Sequence, residues 1–315
     1  MLKELVYAAI RYSGLPRIVR CTYARKKCSI IVYHDPPPEV FQKHIDYLSR
    51  RYRFCTLDDL ARAINDRNPG SIPEKALIIT LDDGDKSNFQ LLKTLRNGAS
   101  FTVYVCSRIV GTSRHFWWTD LGRNNINLED MKGLSDDKIL NALLATGYDV
   151  AKEYVDGRQA LSAEELMEMK EFVSIQSHTR FHPILTACNN HEAEEEIAGS
   201  KADLAALGLD CNHFCYPAGA YSAREIRLVR KAGYSTARTT RFGWNDINAD
   251  PYELKILGVV ANDTSVNKLA AILSGFPGWV NYARQMKAMR KSRFAQLPPI
   301  CDEGQRPAGK SNCAT

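Results

Sequence analysis

The sequence predicts an α/β fold in which parallel strands, covered by helices on both sides, close towards a barrel. Three observations lead there. Short apolar runs alternate with amphipathic helical segments along most of the chain. The runs are almost continuously apolar, as expected for strands buried on both faces. Residues suited to building a site fall just beyond the ends of these runs: His34, Asp82, Asp83, His178 and Pro217. In parallel α/β folds the C-terminal strand edge is where sites are assembled. About six strand–helix units are legible, a number that favours closure over an open sheet.

The elements follow in order. Residues 2–12 place Leu2, Leu5, Val6, Ala9 and Ile10 on one face of a helix. Ser29–Tyr33 is a β-branched strand that ends at His34 and is broken by Asp35 and three prolines. Val40–Arg51 reads as a helix with Phe41, Ile45 and Leu48 on one face, and Leu57–Ile64 as a second. Ala76–Leu81 is a strand running into Asp82-Asp83-Gly84, followed by a helix over Asn88–Arg96 and a strand over Ser100–Cys106. Residues 107–160 read as long and irregular, with an aromatic cluster at Phe116, Trp117 and Trp118 that suits either a sugar cleft or the core. Helices over Ala163–Lys170, Glu192–Leu207 and Ala223–Ala232 alternate with strands over Phe172–Gln176, His213–Tyr216 and Tyr234–Thr239.

Composition excludes little. The 315 residues are 44% hydrophobic and 25% charged, which is ordinary for a globular protein. The formal charge of +6 is too weak to argue for nucleic acid, and no nucleic-acid partner is expected. Nine scattered cysteines without a CxxC pair read as free thiols in a reducing compartment. No signal peptide or membrane-spanning run is legible, so the expected location is the cytoplasm. Trp279, Tyr282, Ala283, Met286 and Met289 share one helical face and Arg284, Lys287, Arg290 and Lys291 the other. Together with the N-terminal helix they suggest peripheral contact with an anionic membrane at its inner face, although a packing helix with a solvated basic face reads equally well. The expected organisation is an N-terminal helix and lead-in over 1–28, a catalytic domain over 29–275, a basic amphipathic helix over 276–294 and a disordered tail over 295–315.

Two motifs carry chemistry. Asp82 and Asp83 sit in a strand-end turn that Gly84 permits, so that one carboxylate can bind a metal while its neighbour acts as a base. Taken alone, the motif is also an ordinary turn. His178 and His182, at i and i+4, can share one face of a helical turn, a familiar chelating spacing. Two histidines and a carboxylate form a facial set that suits one divalent ion, whether Zn²⁺, Co²⁺, Mn²⁺ or Fe²⁺, and the geometry does not decide among them.

Thr80-Leu81-Asp82-Asp83-Gly84 resembles the Thr-Phe-Asp-Asp-Gly motif of the polysaccharide deacetylases, the NodB-homology group or carbohydrate esterase family 4. His178 to His182 is similar to their second motif, and Phe214-Cys215-Tyr216-Pro217-Ala218-Gly219 resembles the third. The resemblance spans roughly residues 29–260 and implies a distorted, incomplete (β/α) barrel. It implies Asp82 as general base and Asp83, His178 and His182 as metal ligands. Pro217, Ala218 and Gly219 would shape the substrate rim, with the Ala218 N–H facing the oxyanion. The implied reaction is metal-dependent hydrolysis of an N-acetyl group on a polysaccharide precursor or lipid-linked sugar, in exopolysaccharide or glycolipid synthesis.

There are two departures from the family pattern. Cys215 stands where many members carry an Arg that orients the catalytic Asp, and Arg238 on the next strand is a candidate replacement, or else a surface charge. The late His that serves as general acid is absent, since no His follows His213. Tyr33-His34 resembles the Tyr-His motif of a branch that supplies its acid from the N-terminal side, which makes His34 the candidate acid. An amidohydrolase acting on a small non-sugar amide, and a carbohydrate-binding pseudoenzyme, are the alternatives.

Overall fold

The strands form where the apolar runs lie. In the computed structural model, which describes residues 2–95, 98–124, 126, 136–147, 149, 152–155 and 157–280, they are β1 (Ser29–Tyr33), β2 (Arg53–Phe54), β3 (Ala76–Leu81), β4 (Thr102–Val105), β5 (Ser174–Ser177), β6 (His213–Cys215), β7 (Thr236–Phe242), β8 (Leu254–Ile256) and β9 (Gly258–Val259). Every residue of β1, β3 and β4 is buried. All pairings between these strands are parallel, in the order β8-β7-β6-β5-β4-β3-β1-β9, with β2 beside the start of β3.

Closure comes from one extended segment. β8 pairs with β7, and β9, one residue further on, pairs with β1. The Leu257 N–H donates to Ile30 (2.8 Å) and the Val260 N–H to Val32 (2.7 Å), so Leu254–Val260 bridges the two edges of the sheet. The result is a nearly closed barrel of parallel strands. Sequence patterning misses β8 and β9 because they are too short to carry a periodicity of their own.

The helices are α1 (Leu2–Tyr12), α2 (Leu15–Cys21), α3 (Pro38–Ser49), α4 (Leu57–Asn65), α5 (Trp117–Arg123), α6 (Asp136–Ala145), α7 (Ala163–Met169), α8 (Asn190–Ala206), α9 (Ala223–Lys231) and α10 (Val266–Leu273). Their starts are written in the sequence. Thr56, Ser162, Asn189 and Ser222 each close a capping box with an acidic residue three positions on. Pro38 opens α3 at a position where its missing N–H costs nothing. Phe41, Ile45 and Leu48 of α3 are fully buried, contributing roughly 2 kcal/mol each through burial.

Alternation along the strands divides the core. Ile31, Tyr33, Leu77, Ile79 and Leu81 pack outwards beneath the helices. Their neighbours Ile30, Val32 and Ile78 meet Tyr104, Cys215 and Leu254 from other strands, together with Leu57 and Leu60 of α4. This second cluster fills the barrel interior.

Several expectations are corrected. Lys86–Thr94 forms a 3₁₀ helix, not an α-helix. The segment expected to be irregular contains α5 and α6. The strand placed at Phe172–Gln176 begins at Ser174, because residues 170–173 still form the turn that leaves α7. Met1–Gly278 forms one compact unit and Trp279–Thr315 a second. Of the expected basic helix and tail, residues 281–315 lie outside the described residues. Seven cysteines are described, and all are free thiols. No described helix is long and apolar enough to cross a membrane.

His44 of α3 is a buried tie. Its Nδ1 lies 3.1 Å from the Tyr33 hydroxyl and its Nε2 2.9 Å from the Thr264 carbonyl. The ring therefore accepts from Tyr33 and donates to Thr264 as a neutral tautomer. Burial lowers its pKa to about 4, with the Thr264 bond opposing. The unfolded chain binds this proton near pH 6.5, so stability from His44 is complete above that pH and is lost as pH falls towards 4. Urea unfolding followed from pH 7 to 4 is expected to show a slope that flattens in His44→Gln, by roughly 3 kcal/mol over the window. An unchanged slope in the variant would refute this assignment.

Candidate active site

The site lies at the C-terminal edge of the barrel. The Asp82 N–H still donates to Tyr33 (2.9 Å), so Asp82 continues the line of β3. Asp83 and Gly84 then turn left-handed, at φ 72° and 74°. A side chain on Gly84 would lie 2.7 Å from Val105 Cγ1, so only glycine passes β4 there. This reversal directs the two adjacent carboxylates differently.

His178 follows β5, and its N–H donates to Val105 (2.9 Å). Its Nδ1 lies 2.8 Å from the Cys215 carbonyl, which fixes the proton on Nδ1 and leaves the Nε2 lone pair free. Nε2 of His178 and Nε2 of His182 are each 3.6 Å from Asp83 Oδ1. The rings stand 4.6 Å apart at 79°. The ligand atoms of Asp83, His178 and His182 thus lie within 4.8 Å of one another.

The expected helical turn between the histidines is not formed. Thr179 (φ 68°) and His182 (φ 59°) are both left-handed, and the His182 N–H donates to Thr179 Oγ1 at 2.9 Å. A helix cannot accommodate such residues; a strained loop held from outside replaces it. Glu196 of α8 accepts from the N–H groups of Arg180 (2.8 Å) and Phe181 (3.0 Å), and Ser200 donates to the Thr179 carbonyl (3.0 Å). Glu196 was hidden within an acidic run on a helix. Trp117 of α5 donates to the His182 carbonyl at 3.0 Å, and the Trp118 ring stands edge-on to His182 at 4.9 Å. Phe116 is buried in a small cluster with Cys106, Ile109 and Ala160.

Arg238 is buried, with 1% of its surface exposed. Its Nη2 pairs with Asp82 Oδ2, lies 2.6 Å from Cys215 Sγ, and the guanidinium covers the Tyr104 ring at 5.4 Å. Burial would raise the Asp82 pKa, but Arg238 first, then His178 and His34, hold it below the usual carboxylate range. Asp82 Oδ1 is buried and has no hydrogen-bond partner among the described residues.

Asp83 is the opposite case. Burial pushes it up to about 7, against the charge of His34. Burial also lowers His178 to about 4 and His182 well below its ordinary value. Two neutral imidazoles beside a buried carboxyl group form a donor set that fits a divalent cation. Asp82, His178 and Cys215 also cluster. Arg238 already supplies a cation there, and burial raises the Cys215 thiol well above its usual range, so this second group lacks a thiolate ligand.

His34 follows β1, half-buried, with its carbonyl held by Asn88 Nδ2 at 2.8 Å. It lies near enough for its charge to act on both Asp82 and Asp83. Pro217, Ala218 and Gly219 form a tight turn beyond β6, with Ala218 left-handed at φ 52°. The exposed Ala218 N–H makes no hydrogen bond among the described residues. A side chain on Gly219 would meet Thr240 Oγ1 at 2.1 Å. Beside His182, a cavity of about 810 Å³ is lined by Trp117, Leu143, Phe181, Pro183 and Ile184, with Glu192 and Glu195 among its acidic residues.

Residues 70–237 match the profile of the family described as polysaccharide deacetylase. Among solved structures, the deacetylase PplD of Streptococcus pyogenes, in complex with acetate, aligns with a TM-score of 0.57 and 17% identity over 78% of this chain and 98% of its own. IcaB from Ammonifex degensii aligns at 0.56 and 20% identity over 79% of this chain and 97% of its own. A polysaccharide deacetylase from Bacillus cereus aligns at 0.56 and 21% identity over 79% and 69%. These likenesses show the NodB-type barrel that the sequence predicts. No curated protein matches the chain.

The buried pair yields a test. Arg238→Met leaves Asp82 charged and unpaired, at an expected cost of about 3–5 kcal/mol in urea unfolding. Adding Asp82→Asn is expected to restore much of that loss. An Arg238→Met chain as stable as the wild type would show that the pair does not form.

Proposed function

This chain belongs to the polysaccharide deacetylase family, and on that premise we propose that it hydrolyses an N-acetyl group on a carbohydrate, using a divalent ion held by Asp83, His178 and His182. The observation that carries this reading is the orphaned Asp82 Oδ1. A buried carboxylate oxygen without a partner is rare, and here it stands beside a donor set suited to a metal.

Bound by these ligands, a divalent ion supplies Lewis-acid polarisation of the acyl oxygen and lowers the pKa of water. The residues do the rest. Arg238 holds Asp82 Oδ2 and keeps the group ionised, leaving Oδ1 to accept a proton from the attacking water. The Ala218 N–H stabilises the developing oxyanion. As the C–N bond breaks, His34 donates a proton to the leaving nitrogen, and the products are acetate and a free amino sugar. Arg238 thereby takes the part of the orienting Arg that Cys215 displaces, and His34 that of the missing late histidine, as in the Tyr-His branch. Zn²⁺ is the first choice of metal for two imidazoles and one carboxylate. The aromatic and apolar cavity beside His182 suits the apolar faces of sugar rings. A polysaccharide precursor or a lipid-linked sugar at the inner face of a membrane is the proposed substrate.

Acetate release from N-acetylhexosamine oligomers by Zn²⁺- or Co²⁺-loaded protein tests the reading, and a loaded chain that releases none refutes it. Asp82→Asn is expected to keep its metal, measured by elemental analysis, while turnover falls about 10²–10⁴-fold. His34→Ala is expected to lower kcat by about 10²-fold with KM little changed. Undiminished turnover in that variant would remove His34 from the mechanism.

A further inference from the structure

Helix α1 presents its apolar stripe to solvent. Leu2, Leu5, Val6 and Tyr12 fall at helical spacing and are 77%, 64%, 48% and 75% exposed, with Ala9 exposed between them. The helix is fixed from its other side. Arg11 Nη1 donates to Asn267 of α10 (2.9 Å), and Ser265, which caps α10, donates to Glu4 (2.8 Å). Solvent-facing side chains of a docked helix are normally polar. Ile18 of α2 and Tyr23 just beyond it extend the exposed apolar surface.

The charge distribution identifies the kind of partner. Residues 1–28 contain seven Lys and Arg and one acidic residue, a net +6. Residues 29–315 contain 35 Lys and Arg and 35 Asp and Glu, no net charge, so the whole excess of the chain lies in its first 28 residues. The single acid of the N-terminal stretch, Glu4, is exposed and accepts from Ser265. Lys3, Arg17 and Lys26 are exposed. Thr22, Arg25, Lys26 and Lys27, with Asp246, line a shallow cavity of about 350 Å³. An exposed apolar stripe joined to a basic segment is complementary to an anionic lipid bilayer.

We propose that the outward face of α1, with the basic stretch around α2, docks this protein on an anionic membrane, the side chains of Leu2, Leu5, Val6 and Tyr12 entering the headgroup boundary. The docked end also lies near the candidate site. Ser265, which holds Glu4, is three residues from Asn262, and Asn262 donates to Asp35 (3.0 Å), the residue after His34. The N-terminal end of α1 therefore stands at the strand edge that carries the site, and a sugar attached to a membrane lipid is within its reach. The docking surface is independent of the proposed reaction and is tested without turnover.

Flotation of the full chain with phosphatidylcholine vesicles, alone or mixed with phosphatidylglycerol, tests the proposal. Binding is expected to the mixed vesicles and to be reduced by high salt. Leu5→Glu with Val6→Glu is expected to abolish it without changing the unfolding transition, since both side chains are exposed. Removing the charge of Arg17 or Lys26 is expected to weaken binding about fivefold each. Absence of binding to mixed vesicles, or binding unchanged by the Leu5 and Val6 pair, overturns the proposal. So does a wild-type dimer that this pair converts to monomer in sedimentation without any vesicle binding, because the stripe would then belong to a second copy.

Discussion

The site depends on one ion pair placed where ion pairs are costly. Asp82 and Arg238 sit within the barrel edge, each almost stripped of water, and neither charge is tolerable there without the other. The pair ties β3 to β7, strands that are not neighbours in the sheet. It spans the barrel, and so requires the closed geometry that Leu254–Val260 provides. Tyr104 lies under the guanidinium and Cys215 against it, so both touch the buried cation.

Around this fixed point the backbone is strained. Six described residues other than glycine have positive φ, and four of them, Asp83, Thr179, His182 and Ala218, belong to the site. Each costs of order 1–3 kcal/mol in isolation. The strain is held by ordered contacts: Glu196 and Ser200 brace the histidine loop, and Val105 leaves no room beside Gly84. The consequence is a carboxylate and two imidazoles whose ligand atoms lie within 4.8 Å of one another.

Much of this was legible in the sequence, for physical reasons. Apolar runs such as Ala76–Leu81 must be buried on both faces, and capping residues such as Ser222 announce their helices. The residues of the candidate site were visible because they break those patterns at strand ends. Backbone geometry at the site was not legible. The i, i+4 spacing of His178 and His182 suggests a helix, yet tertiary contacts from α8 impose a loop with two left-handed residues. Arg238 was ambiguous because nothing in Thr236–Phe242 tells which side faces Asp82 until register is set. β8 and β9 are too brief to be seen, although closure depends on them.

That closure also bears on how the chain is made. Until residue 260 has left the ribosome, β1 and β7 are open edges with unpaired N–H and C=O groups, flanked by the apolar residues of β1. Parallel pairing between distant segments is slow to form, and such edges recruit other chains. The segment that seals the barrel, Leu254–Val260, follows β1–β7 in the chain. Nascent chains therefore pass through a stretch of translation in which most of the sheet exists but its two margins are unpaired.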